Sequence, residues 1–329
     1  MLKKYFLYIL VAIILAPLAN LGYEVILSPG YKFFSECVEV TEKWEEKLRK
    51  KDTNCYVFAG GSEVRMGIEP TVMLTEHGIH AINAGLQAGN GVRCNAQMGL
   101  NFLKKGDTLV LSVFPSDAQM GRGTTRGGTN FCILQLGKKC FYENGGILSL
   151  EPSLLSYLFF GSSSELSVYI MRILTRPDCI YRYSCAKNAR IAESGRVEVF
   201  IRKNHPIKHL KTEKVSHDVQ FKELESLIRD VQTACQHRGA ELIVYLPRRC
   251  VSATHRSENA VVALYLTDMG VSVLKDPQLG TWEDSNAFSD TTEHLSIEAG
   301  REFSAYIAKL LKEKDYWTRE ELLRIIHQP

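Results

Sequence analysis

Five short apolar runs of strand type alternate with helical patterns along this 329-residue chain, and that alternation constrains the fold more than any other feature. The runs are Cys55–Ala59 (CYVFA), Ile79–Asn83 (IHAIN), Asp107–Val113 (DTLVLSV), Glu241–Pro247 (ELIVYLP) and Val271–Leu274. Helical patterns lie between them at Pro70–His77, Arg93–Lys105, Asp218–Arg238 and Glu258–Met269, with another at Glu298–Lys312 behind the last run. In the third of these, Phe221, Leu224, Leu227, Ile228, Val231 and Ala234 share one helical face. Strands alternating with helices predict an α/β domain on a parallel sheet with right-handed crossovers. Its functional loops would gather at the carboxyl edge of the sheet, where open α/β sheets bind ligands.

The first run stops at Gly60-Gly61-Ser62, and Gly67-Ile68-Glu69-Pro70 then leads into a helix. Ser62 is thereby expected on a tight turn at the carboxyl end of a buried strand. The glycines are expected to supply the backbone angles and the close approach of such a turn. The helix that follows would aim its N–H groups at whatever sits on the serine. A plain strand-to-helix turn explains the same local residues, so chemistry at Ser62 requires partners elsewhere.

Partners are available after the fifth run. A loop there carries Trp282, Glu283, Asp284, Asp290 and His294, and Ser296 is placed to cap the helix behind it. An acid four residues before a histidine can orient the imidazole, which can then take the proton of a serine across the sheet edge. Asp290 is the candidate orienter, with Asp284 as the alternative. The glycine-rich loop at 85–91 would supply oxyanion donors from its backbone, Gly85 first, and Asn90 is a candidate substrate contact. Arg248 and Arg249 follow the fourth run on the same edge, either to meet an anionic substrate or as a solvated pair. His205 and His209 have an H-x-x-x-H spacing, but Pro206 and the neighbouring lysines suit a solvated loop, so no metal or cofactor is expected.

The formal net charge of +3 is small for this length and leaves no basic field for nucleic acid. Met1-Leu2-Lys3-Lys4 precedes an uncharged stretch from Tyr5 to Leu21. That length is near the lower limit for a bilayer-spanning helix, and the flanking lysines place the N-terminus in the cytoplasm. Cutting after Ala19 would put Pro17 where a signal peptide prefers a small residue. An uncleaved anchor is therefore expected, a cleaved signal being the alternative; both export the remainder. Export permits disulfides among the nine cysteines. Cys132 with Cys140 and Cys179 with Cys185 are close pairs, and Cys37 with Cys55 would tie an accessory helix to the first strand.

The expected organisation is an anchor at 1–21, a linker and accessory helix at 22–54, and the α/β domain at 55–118 and 216–329. Residues 22–34 suggest an extended linker and Ser35–Lys51 a helix. Residues 119–215 break the rhythm and are rich in Gly, Ser, Arg and Tyr, which suggests an insertion serving as a lid or substrate-facing subdomain.

Three blocks in this order resemble the SGNH (GDSL-like) hydrolases, and more narrowly their membrane-anchored branch associated with bacterial polysaccharide and cell-wall modification. Gly60-Gly61-Ser62-Glu63-Val64-Arg65-Met66-Gly67-Ile68-Glu69-Pro70 matches the first block, Asn83-Ala84-Gly85 the second, and Asp290 with His294-Leu295 the last. The third-strand block departs: Phe114-Pro115-Ser116-Asp117 stands where the family has Gly-x-Asn-Asp. The resemblance covers about 55–118 and 216–312, not the insertion. It implies a flavodoxin-like three-layer α/β/α fold with a mostly parallel five-stranded sheet. It implies a Ser62–His294–Asp290 triad with Gly85 and Ser116 at the oxyanion. It further implies an exported serine acyl-esterase or O-acyltransferase acting on an O-acylated envelope glycan, without a cofactor. A membrane acyltransferase is a partner that it allows. A non-catalytic glycan-binding or scaffold protein is the alternative, which the missing asparagine favours.

Overall fold

The computed structural model describes residues 29–49, 53–87, 91–114, 189–199, 221–251, 255–289 and 291–327, with five isolated positions before residue 16. Its strands are β1 (Tyr56–Ala59), β2 (Ala81–Asn83), β3 (Thr108–Ser112), β4 (Ala189–Ile191), β5 (Val197–Val199), β6 (Glu241–Tyr245), β7 (Arg249–Cys250), β8 (Ser272–Val273) and β9 (Thr281–Trp282). The helices are α1 (Pro29–Arg49), α2 (Ser62–Gly67), α3 (Pro70–His77), α4 (Val92–Phe102), α5 (Phe221–His237), α6 (His255–Asp268), α7 (Ile297–Glu313) and α8 (Arg319–Ile326).

The five expected strands form one sheet in the order β2-β1-β3-β6-β8, and every pairing in it is parallel. Strand side chains alternate between two cores, as a strand's two-residue period requires. Val57, Ala59, Leu109, Leu111 and Val244 pack into one, beside Trp44 and Leu48 of α1 and the apolar faces of α4, α5 and α6. Phe58, Val110, Ile243 and Tyr245 pack into the other, beside Val64 of α2, Met73 of α3 and Phe303, Ile307 and Leu311 of α7. Helices thus cover both faces of the sheet, and this explains why its strands are nearly continuous in apolar residues.

Two local expectations change. Helix α1 begins at Pro29 rather than Ser35, so the supposed linker is helical from there. Proline is tolerated in a first helical turn, where its missing N–H has no intrahelical partner, and Phe34 is buried against the first core. Cys37 and Cys55 are both free and buried, not bridged. They serve different cores: Cys37 packs with Met66 and Val197, and Cys55 with the residues around Trp44. Cys94 in α4 is disulfide-bonded, a bond the spacing did not suggest; Cys132, Cys140, Cys179 and Cys185 lie outside the described residues.

Most of the expected anchor also lies outside them. Tyr5, Phe6, Tyr8, Val11 and Leu15 are helical and exposed. Among the described residues no helix is long and apolar enough to cross a membrane.

The chain order around β1 matters for function. It leaves β1 to β2 on one side and reaches β3 on the other, so the carboxyl ends of β1 and β3 meet at a topological switch point. Crevices at such points are where doubly wound sheets take ligands.

Candidate active site

Ser62 sits at that point, as the first residue of α2, directly after the turn that ends β1. Gly60, beside Gly61, is needed for space rather than for a positive φ. Neither has a positive φ. A Cβ on Gly60 would lie 2.6 Å from Glu63 Oε1 and 2.7 Å from Ser112 Cβ.

His294 meets it from across the sheet edge. Its Nε2 lies 2.7 Å from Ser62 Oγ, joining residues 232 positions apart. The loop carrying His294 is folded back on itself. Ser289 N–H donates to His294 O at 2.8 Å, Phe288 bridges Leu295, and the Thr291 hydroxyl accepts from the Glu293 and His294 N–H groups. Cys250 N–H of β7 donates to Thr292 O at 2.7 Å, so an edge strand props the loop. Ser296 caps α7, accepting from Ala299 N–H, as its position suggested.

The second motif positions α2 more than it supplies an oxyanion donor. Asn83 is fully buried, and its Nδ2 donates to Val64 O at 3.0 Å and Ile68 O at 2.8 Å. These carbonyls end the helix that Ser62 begins. The Gly85 N–H, expected at the oxyanion, donates to Asn83 Oδ1 at 3.1 Å. Gly85 is glycine because a Cβ there would lie 2.5 Å from Arg65 N and 2.7 Å from Val64 Cβ.

Glu63, directly after the serine, is a site residue that the sequence reading missed. It is buried, and its Oε1 accepts from Gly61 N–H at 2.8 Å and from Ser112 Oγ at 2.9 Å. It therefore ties the Ser62 turn to the end of β3. Its Oε2 is buried with no hydrogen-bond partner. Burial raises the Glu63 carboxyl above its ordinary value, opposed by those hydrogen bonds and reinforced by the charge of Glu293. Its one signal in the sequence was a carboxylate directly after the serine of that turn.

The two arginines diverge. Arg249 lies 3.1 Å from Glu293, the neighbour of His294, and its guanidinium sits over the Phe114 ring. Arg248 is stacked on Trp282, Phe303 and Tyr306 and pairs with Asp276 at 3.4 Å. It lines a separate cavity of about 400 Å³ with Gln278, Thr281, Trp282, Glu283 and Asp284. Asp284, the alternative orienter, caps the short helical turn Ser285–Ala287, accepting from Asn286 N–H at 2.8 Å. Asp290, Ser116 and Asn90 lie outside the described residues. Among the described residues no cluster of His, Cys, Asp and Glu could hold a metal ion.

A serine and a histidine at this separation can do nucleophilic chemistry. The imidazole can accept the hydroxyl proton as Oγ attacks a carbonyl. The β4–β5 hairpin also ties the end of α2 to the start of α7. Arg196, beside β5, donates through Nε to Met66 O at 2.9 Å, and through Nη2 to Ser296 O at 3.3 Å and Ile297 O at 3.1 Å. No protein-family model, curated protein or solved structure matches the chain.

Proposed function

We propose that this protein is an exported serine acyl-esterase or O-acyltransferase of SGNH type that acts on an O-acylated glycan of the bacterial envelope, acetyl being the default group. The contact of His294 Nε2 with Ser62 Oγ carries this reading. Two residues singled out by separate sequence blocks lie within hydrogen-bond reach at a switch point. The strand order, 2-1-3-4-5 when only the sheet strands are counted, suits the flavodoxin-like three-layer fold of that superfamily.

Ser62 Oγ attacks the ester carbonyl while its proton passes to His294 Nε2. The tetrahedral intermediate collapses, the ester C–O bond breaks and the departing alkoxide takes the proton from His294. Water then cleaves the acyl-enzyme in hydrolysis, or a glycan hydroxyl does so in transfer. Asp290 orients His294. The Ser62 N–H and Ser116 are the oxyanion donors in this scheme, because the Gly85 N–H is already taken by Asn83. The exposed apolar residues Tyr5, Phe6, Tyr8, Val11 and Leu15 fit an inner-membrane anchor with the domain in the periplasm. The disulfide at Cys94 fits an oxidising compartment.

The test is labelling of the full chain with a fluorophosphonate, whose fluoride leaves as Ser62 Oγ bonds to phosphorus. Modification mapped to Ser62, and lost in Ser62→Ala, is expected. An unmodified Ser62 in folded protein overturns the enzyme reading. It would leave a non-catalytic glycan-binding or scaffold protein, which the engaged Gly85 N–H and the missing third-strand asparagine favour.

A further inference from the structure

We infer that Arg196, carried by a hairpin of the inserted segment, is a positioning residue that holds the serine and histidine halves of the site in register. The inference rests on the proposal that Ser62 is a nucleophile. Ser62 begins α2, and His294 lies just before the cap of α7. Their contact survives only while these two helices keep a fixed relation, because misplacement by about 1 Å can cost about 100-fold in rate.

Arg196 spans that junction with one rigid fork. Its Nε holds the end of α2 at Met66 O, and its Nη2 holds the start of α7 at Ser296 O and Ile297 O. Its Nη1 pairs with Glu69 Oε2 at 3.2 Å, and Ser194 Oγ donates to Glu69 Oε1 at 2.8 Å. The guanidinium is 1% exposed and its carboxylate partner 5%. Gly300 is cut away for it, since a Cβ there would collide with Nη2.

The stability of α7 does not explain this placement. A cation at a helix N-terminus opposes the helix dipole, and burial disfavours its charge. The planar five-donor fork explains it, because it can hold three carbonyls on two elements at once. Ser304 of α7 makes another polar link here, accepting from Glu69 N–H at 2.7 Å, with its hydroxyl 2.6 Å from Gly300 O and 3.2 Å from Gly67 O. Val64 and Ile68 share an apolar cluster with Leu295, Ala299 and Phe303, and Arg196 adds directional polar ties across the same junction. The hairpin also reaches α2 a second time, where Gly195 O accepts from Arg65 Nη1 at 2.7 Å.

The experiment measures the rate of fluorophosphonate labelling of the full chain in detergent at saturating probe, with circular dichroism melts alongside. Arg196→Lys keeps the charge and loses the fork, so labelling should slow by about 10- to 100-fold while the protein stays folded. Ser194→Ala, which loosens Glu69, should slow labelling less and serves where Arg196→Lys does not fold. Added guanidinium should restore part of the rate in Arg196→Ala, a rescue that general destabilisation does not produce. Wild-type labelling with equal labelling of every folded variant overturns this inference alone. A wild type with no label on Ser62 overturns it together with the hydrolase proposal.

Discussion

The serine side and the histidine side of the site are built differently. Ser62 stands on a helix of six residues gripped from all directions. Glu63 ties its start to β3, Asn83 holds its closing carbonyls, Arg196 takes Met66 O and Gly85 leaves room for its backbone. Most of these groups are buried. His294 stands on a half-exposed loop held by backbone turns, the exposed Thr291 hydroxyl and one hydrogen bond from β7. Ser62 is thus set in the core, and His294 approaches it on a surface loop anchored mainly by Leu295, buried beside α2. Substitutions on the serine side should therefore cost stability, and those on the histidine side should cost rate.

The largest effect tests whether the two sides work as one unit. His294→Ala should slow acylation of Ser62 by about 10²- to 10⁴-fold, the usual worth of a general base. Ser62→Ala should abolish it, and adding His294→Ala to Ser62→Ala should reduce residual ester hydrolysis no further. Additive losses in the double variant would show that the contact is not used.

Gly85→Ala sharpens the stability half of the comparison. The new methyl group meets backbone and Val64, neither of which can swing away, so the loss should be about 1 to 3 kcal/mol in urea unfolding. An unchanged midpoint would mean that α2 is held less firmly than its contacts imply.

Glu63→Gln probes the serine side through pH. Burial raises the folded carboxyl above its ordinary value of 4.5, so the folded state keeps a proton that the unfolded chain releases. The contribution of Glu63 is complete below that value and declines as pH rises toward the raised folded one. Glu63→Gln removes this decline. Relative to wild type, its urea midpoint should rise as the pH climbs above 4.5. A constant difference across that range would count against a protonated Glu63.

The smallest stability effect is expected on the histidine side. Thr291→Val removes two hydrogen bonds at an exposed position, so stability should stay within about 0.5 kcal/mol of wild type. Labelling of Ser62 should nevertheless slow a few-fold, because the His294 backbone loses its tether. A stability loss with an unchanged labelling rate would reverse the contrast drawn above.

The sequence by itself determined the five strands of the sheet, the helices that cover it and which residues deserved suspicion. Apolar runs bounded by glycine, and helical faces such as Leu224 to Val231, are settled by neighbours a few residues away, so they are legible in one dimension. Helix α3 falls at Pro70–His77 as expected, and the sheet strands differ from the expected runs only at their ends. Ser62 stood out as a polar group at the end of such a run, and His294 as a histidine four residues after Asp290 in the loop beyond the last one. Only the tertiary structure decided what they face. Strand order brings the carboxyl ends of β1 and β3 together and makes Gly60 a matter of space. Packing of α7 on α2 and α3 brings His294 to Ser62. Glu63 and Arg196 went unread because their roles lie in contacts with Ser112, Met66 and Ser296, set by chain closure over 49 to 130 residues. No local pattern encodes a contact at that separation.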